Sequence, residues 1–334
     1  MKNKEKFVIQ LFIRERRTMK TGKMKIAMVG LGDIARKAYL PILTSHDGVD
    51  LLFYNRSKAP LEEYQKRYRV AQGTTSLKEV VDRQPTAAFV LTASPSHFEI
   101  VRTLLNAGID VFVEKPATLH SSETRELAEL ADEKGRILMV GFNRRYAPLH
   151  VRAKQIWGDT PVSMGVFTKF RPKDYYPDLA HQMIDDNIHQ IDTLRFFCGD
   201  GRAVSVTQET TPDKIVGAVC TIKFDNGGIG VLETNMRAGR WEEHYALYGG
   251  QKTMRIDVFS KVTLTRGEDQ RHWAETYDSS WKPTLEGRGF VGEIERFFSC
   301  VKERQMPQTS AWDSVKTQLL IEEIIALGEK ESGG

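Results

Sequence analysis

The chain has 334 residues, 48 lysines and arginines against 44 aspartates and glutamates, and a formal net charge of +4. With 40% hydrophobic and 28% charged residues it has the make-up of a globular protein, not of a disordered or collagen-like one. The length suits two domains of ordinary size. The small positive charge is spread out, with no basic stripe interleaved with aromatics, so nucleic acid is not expected as a partner. No run reaches the ~18 apolar residues of a membrane span. Cys198, Cys220 and Cys300 lie far apart, with no C-x-x-C and no metal-ligand spacing. They read as reduced thiols of a cytoplasmic protein, and no metal is expected.

Phe7 to Ile13 is apolar but short, and Arg14-Glu-Arg-Arg17 follows it. A secretory signal has its charge before the apolar run. Residues 1–23 are therefore expected to be an extension outside the fold. From Met24 onwards strands and helices alternate. Strands are expected at 26–29, 50–54, 87–92, 111–113 and 137–140, and helices at 34–43, 60–68, 96–107 and 121–134. Residues 24–145 thus predict an α/β unit, a Rossmann doubly wound parallel sheet with helices on both faces. After 145 comes a helix carrying Leu149 and Ile156, then β-rich runs at 162–170, 203–208, 218–224, 228–234, 244–249 and 254–259. Asp225-Asn-Gly-Gly228 reads as a hairpin turn. The tail is helical over 290–303 and 310–327, with Gly328 as a stop. Residues 146–334 predict an α+β domain with an open, largely antiparallel sheet. Its uncovered face is expected to pair in a homodimer or homotetramer.

Gly30-x-Gly32-x-x-Ala35 stands between the first strand and the first helix, the setting of a dinucleotide fingerprint. Gly30 makes the tight turn, Gly32 admits a ligand close to the backbone, and Ala35 lets the helix pack on the strand. The free N–H groups at the helix start, around Asp33 and Ile34, favour a pyrophosphate. An acidic residue at the end of the second strand would bind the ribose of NAD. Asn55, Arg56 and Ser57 stand there instead, and arginine grips phosphate through two hydrogen bonds. NADP is the expected cofactor, with NAD the alternative.

Three further motifs follow: Leu91-Thr-Ala-Ser-Pro-Ser-His97, Glu114-Lys115-Pro116 and Gly141-Phe-Asn-Arg-Arg-Tyr146. With the fingerprint they resemble the glucose-fructose oxidoreductase / inositol dehydrogenase (Gfo/Idh/MocA) family. Thr284-Leu-Glu-x-Arg288-Gly-Phe-Val-Gly292 and Pro307-Gln-Thr309 look like its MviM-like branch. The resemblance covers nearly the whole chain from Met24. It implies a cis peptide before Pro116 and a catalytic set of Lys115, Asp185 and His189, read from Ile184-Asp-Asp-Asn-Ile-His-Gln-Ile-Asp192. Asp185 would touch the substrate and tune His189, His189 would take a hydroxyl proton, and Asp192 could support it. Asn187 departs from the glycine of the family pattern; asparagine tolerates unusual backbone angles.

The resemblance also places Thr92, Ser94, His97, Glu114 and Lys115 at the cofactor, although Ser96 could instead cap a helix that His97 begins. Arg144 and Arg145 face the substrate or cofactor side, unless one of them pairs with a carboxylate. Tyr176 and His181 fall in a substrate loop, where Lys169 and Arg171 could add positive charge. The implied reaction is hydride transfer between nicotinamide and a secondary alcohol of a sugar, cyclitol or polyol. The alternatives are a regulatory nucleotide-binding protein without turnover and a reductase of a non-sugar carbonyl or imine.

Overall fold

The computed structural model describes residues 22–173, 175–274 and 284–332. The run from Phe7 to Ile13, and with it residues 1–21 of the expected extension, lies outside the described residues. The first six strands form one parallel sheet in the order β3-β2-β1-β4-β5-β6. They are β1 (Met24–Val29), β2 (Val49–Tyr54), β3 (Gln72–Thr74), β4 (Ala87–Val90), β5 (Asp110–Glu114) and β6 (Leu138–Gly141). β4 and β6 are apolar throughout, and so are the stretches Ile26–Val29 of β1 and Val111–Val113 of β5, because helices cover both faces of the sheet. β3 was not expected: Gln-Gly-Thr has no apolar run to announce it.

The second sheet has eight strands, ordered β14-β13-β12-β11-β7-β10-β9-β8. β7 (Met164–Phe170) and β10 (Ile229–Asn235) run parallel, and the other pairings are antiparallel. β8 (Gly201–Thr211), β9 (Lys214–Phe224), β11 (Glu242–Gly249) and β12 (Lys252–Asp257) match expected runs, and residues 225–228 turn between β9 and β10. β13 (Lys261–Arg266) and β14 (Asp269–Ala274) went unread, since charges crowd their ends.

The helix Phe290–Glu303 returns to the parallel sheet, where Phe297 and Phe298 pack edge-on against Phe89. The last helix, Ala311–Ser332, runs through Gly328 instead of stopping there. Gly328 meets Leu179 so closely that a Cβ would lie 2.5 Å from its Cδ2. The glycine marks a close contact, not an end.

Candidate active site

At the carboxyl end of β1 the backbone turns at Gly30, with φ at 98°. A Cβ on Gly30 would lie 2.7 Å from the Thr92 methyl and 2.9 Å from the Leu91 carbonyl carbon. At Gly32 a Cβ would meet nothing within 4 Å. The two glycines therefore do different work: Gly30 lets the turn pack on the end of β4, and Gly32 keeps an open space in front of the helix start. That space belongs to a cleft of about 510 Å³ whose walls include Asn55, Arg56, Ser57, Thr92 and Ser96. Gly30→Ala is expected to lower the thermal midpoint. Gly32→Val should leave it unchanged and abolish dinucleotide binding by calorimetry; retained binding would show that the open space is not the cofactor's.

Asn55 ties the cleft together. Its Nδ2 donates to Ser57 O at 2.9 Å, and its Oδ1 accepts from Leu31 N at 3.4 Å. Arg56 is exposed and makes no ion pair among the described residues. Six expected cofactor residues do not line the cleft: Asp33, Ile34, Ser94, His97, Glu114 and Lys115. Asp33 turns to Arg36 and Lys37, at 2.7 and 2.6 Å. Ile34 packs into the apolar layer under the sheet. Ser94 opens a short 3-10 turn.

His97 is buried, with Nδ1 2.8 Å from Pro116 O and Nε2 3.0 Å from Thr92 O. Burial lowers its pKa. It braces the loop after β4 against the cis Lys115–Pro116 bond, which corrects its placement at the ribose. Ser96 makes no capping bond; its hydroxyl goes to Thr92 and Ala93. Glu114 is likewise turned inward. Its carboxylate accepts from Tyr39 OH at 2.7 Å and from Lys115 N at 2.8 Å. Tyr39 OH also lies 2.9 Å from Glu293 Oε1. A phenol has one proton, so this triad needs another on a carboxyl, and burial pushes both glutamates upward.

Lys115 leaves β5 beside Glu114, and its Nζ donates to Asp185 O at 2.7 Å, with Asp185 Oδ1 3.6 Å away. Asp185 sits in a wide π-turn, Met183–Asn187, that runs into the helix Ile188–Cys198. Its Oδ2 accepts from Tyr176 OH at 2.7 Å. The carboxylate makes no hydrogen bond to His189, contrary to the expected tuning, because Tyr176 and Lys115 hold it elsewhere. Asp192 does not support His189 either; it takes both nitrogens of the Arg145 fork, at 2.8 and 2.6 Å.

His189 is half-buried, and its Nδ1 is buried without a partner. Burial first, then the charges of Arg144, Lys115, Lys169 and Arg171, hold its pKa well below the usual imidazole range. The ring is therefore neutral at pH 7 and able to accept a proton. Asn187, fully buried, has ordinary helical angles of φ −80° and ψ −12°. Its amide donates to Gln190 Oε1 at 2.5 Å, and Gln190 Nε2 donates to Phe167 O at 2.6 Å. No unusual backbone is needed there.

Arg144 and Arg145 are not at a substrate surface. Arg144 forks onto Glu243 with two bonds of 2.7 Å, and Tyr245 OH donates to the same carboxylate at 2.5 Å. Despite burial, the neighbouring charges hold Glu243 down at about 2. Arg145 binds Asp192 and Asp313. The two side chains rivet the end of β6 to β11 and to two helices. Lys169 and Arg171 both engage Asp186, so their charge is largely answered from within. His181 is exposed and held by Asp178, which accepts from its backbone N–H at 2.8 Å.

Sequence reasoning missed Glu243, Asp186, Tyr39 and Glu293. Glu243 meets Arg144, Tyr39 meets Glu114 and Glu293 meets Tyr39 from 75 or more residues away, and Asp186 pairs with Lys169 and Arg171 from another element; no local spacing signals these pairs. One long-range link was half visible. Gly289, in the Arg288-Gly-Phe motif, has φ at 89°, and a Cβ there would lie 2.0 Å from Asn143 O. The two motifs touch, with Asn143 Nδ2 donating to Arg288 O at 2.8 Å.

The profile of the oxidoreductase family with an NAD-binding Rossmann fold, GFO_IDH_MocA, matches residues 24–142. YceM of Salmonella typhimurium, a candidate oxidoreductase by name, is 31% identical over 314 residues, covering 90% of this chain and 96% of YceM. The myo-inositol 2-dehydrogenase of Thermotoga maritima is 21% identical over 89% of this chain and 94% of that enzyme. Among solved structures, a dehydrogenase (MviM) from Clostridium difficile superposes with a TM-score of 0.83 at 25% identity, covering 91% of this chain and 99% of its own.

Proposed function

Since the chain belongs to the Gfo/Idh/MocA family of NAD(P)-binding oxidoreductases, we propose that it transfers hydride between NADP and a secondary alcohol or ketone of a sugar, cyclitol or related polyol. One observation carries this reading. The bond from Lys115 Nζ to Asp185 O draws the strand end of the nucleotide-binding sheet against the turn that presents His189. The open space at Gly32 and the cleft beside it fit a dinucleotide. The bound nicotinamide supplies or takes the hydride.

This chain's own residues handle the proton and the orientation. Lys115 Nζ donates toward the reacting oxygen. Neutral His189 accepts the hydroxyl proton, and its buried, cation-facing ring makes that proton easy to return in the reductive direction. Tyr176 and Asp185 hold Lys115 in reach of both. Arg144 and Arg145, buried in ion pairs, fix the floor. Asn187, the departure from the family pattern that favours a regulatory protein without turnover, has ordinary helical backbone angles.

Cofactor choice is tested at Arg56. NADPH should bind more tightly than NADH at one salt concentration. Arg56→Ala should weaken NADPH selectively, by about 1.5–3 kcal/mol for a lost charge-assisted bond. Equal affinities in the parent protein would refute the preference. The proton path is tested by pH. A group whose folded pKa is depressed stays neutral down to that lowered value. The rate should therefore hold from pH 8 to 6.5, the ordinary imidazole value, and fall only below it. A limb centred at or above 6.5 would speak against His189 as the base.

We also propose that the open sheet pairs two or four copies. Met164, Val219 and Ile229 are exposed large apolar residues, with Ile229 beside Met164 on adjacent strands.

A further inference from the structure

A second groove lies at the outer edge of the eight-stranded sheet, four strands from β7 and hence roughly 19 Å from it at the usual strand spacing. Its volume is about 440 Å³. Register explains its walls. Arg266 pairs with Asp269, Leu264 with Arg271, and Val262 with Trp273. Alternate residues of paired strands share a face, so Arg266, Arg271 and Trp273 project on the side that buries Val262 and Leu264. The helix Pro148–Trp157 packs on that same side. It adds Arg152 and, one turn on, Ile156 to the groove.

The charge balance is unusual. Arg152, Arg266 and Arg271 are all exposed, and none of their side chains makes a hydrogen bond or ion pair among the described residues. Asp269 is the one carboxylate lining the groove. A fourth cation, Lys252, is nearby. Its Nζ donates to Thr160 Oγ1 at 2.8 Å and lies 4.4 Å from the Trp157 ring centroid; burial and, after it, the charge of Arg266 lower its pKa. Elsewhere on this surface arginines such as Arg36, Arg83 and Arg102 have carboxylates one helical turn away. Here like charges are gathered around an apolar floor and an indole that is only half-buried.

We propose that this groove binds a small organic phosphate carrying a planar ring, of the nucleoside monophosphate kind, at a site separate from the dinucleotide cleft. Planar guanidinium forks match phosphate oxygens two at a time. The Trp273 face, with Ile156 and Leu264 beneath, offers the ring a stacking surface. Asp269, across from Arg266 in the strand register but not ion-paired with it, sets a limit on how much negative charge the site accepts.

The test is calorimetric titration of AMP into the full-length protein saturated with NADPH, which closes the dinucleotide cleft to the probe. One further site is expected, weakening with salt. Arg266→Ala and Arg271→Ala should each lower AMP affinity at least ten-fold, and Trp273→Ala several-fold. NADPH affinity and thermal midpoint should stay unchanged, since the arginines are exposed. Absence of AMP binding, or binding that survives all three substitutions, overturns the proposal. So does inorganic phosphate binding as tightly as AMP and indifferently to Trp273→Ala, because the ring then contributes nothing. Tighter binding of a short single-stranded RNA than of AMP would overturn the small-molecule assignment.

Discussion

Lys115→Ala and His189→Ala should each slow turnover by roughly 10²–10⁴-fold, the usual worth of a positioned acid or base. Dinucleotide affinity should be largely preserved, because neither residue lines the cleft around Gly32 and Arg56. The two groups reach the same place from different elements, Lys115 from the end of β5 and His189 from the helix after the π-turn. In the proposed reaction they act on one oxygen and one proton, so the double variant should lose far less than the product of the single losses. Thermal midpoints near the parent value would show that the losses are chemical. Full turnover by His189→Ala would move the proton path to another group.

Arg144→Ala should act on stability, not on substrate affinity. The substitution leaves the Glu243 carboxylate buried with only Tyr245 and the more distant Lys169 to answer it. Breaking a buried pair by removing one partner costs about 3–5 kcal/mol. For a unit of this size that is a fall of roughly 6–20 °C in thermal midpoint. Arg145→Ala, which takes the guanidinium from buried Asp192 and leaves it only the Thr317 hydroxyl, while Asp313 keeps Arg195, should behave alike. An unchanged midpoint with a raised KM would restore these arginines to the substrate side.

These variants mark the boundary of what was legible in the sequence. Strand-to-helix alternation revealed the parallel sheet because both faces are buried, which makes the strands apolar runs. Glycines announced the fingerprint because Gly30 and Gly32 answer local demands, one steric and one of open space. The motif Glu114-Lys115-Pro116 marked a functional strand end for the same local reason. What the sequence hid was direction. Arg144, Arg145, His97 and Glu114 stand in motifs that surround a site, yet each points away from it, toward Glu243, Asp192, Pro116 and Tyr39. Those partners lie up to 99 residues away, and only the fold brings them near. Asp185 is the intermediate case. Its spacing to His189 suggested contact, but Tyr176, nine residues upstream, competes for the carboxylate and takes it. The edge strands β13 and β14 were hidden by the same arginines that make their groove cationic.

The most direct measurement is nicotinamide absorbance in the purified protein with NADP, as sugars, inositols, sugar acids and other polyols are added one at a time, repeated with His189→Ala. The account predicts reduction of NADP by at least one of these secondary alcohols, with reoxidation by the matching ketone, and its near loss in the variant. Tight NADPH binding with no absorbance change for any alcohol or ketone in the panel would contradict it.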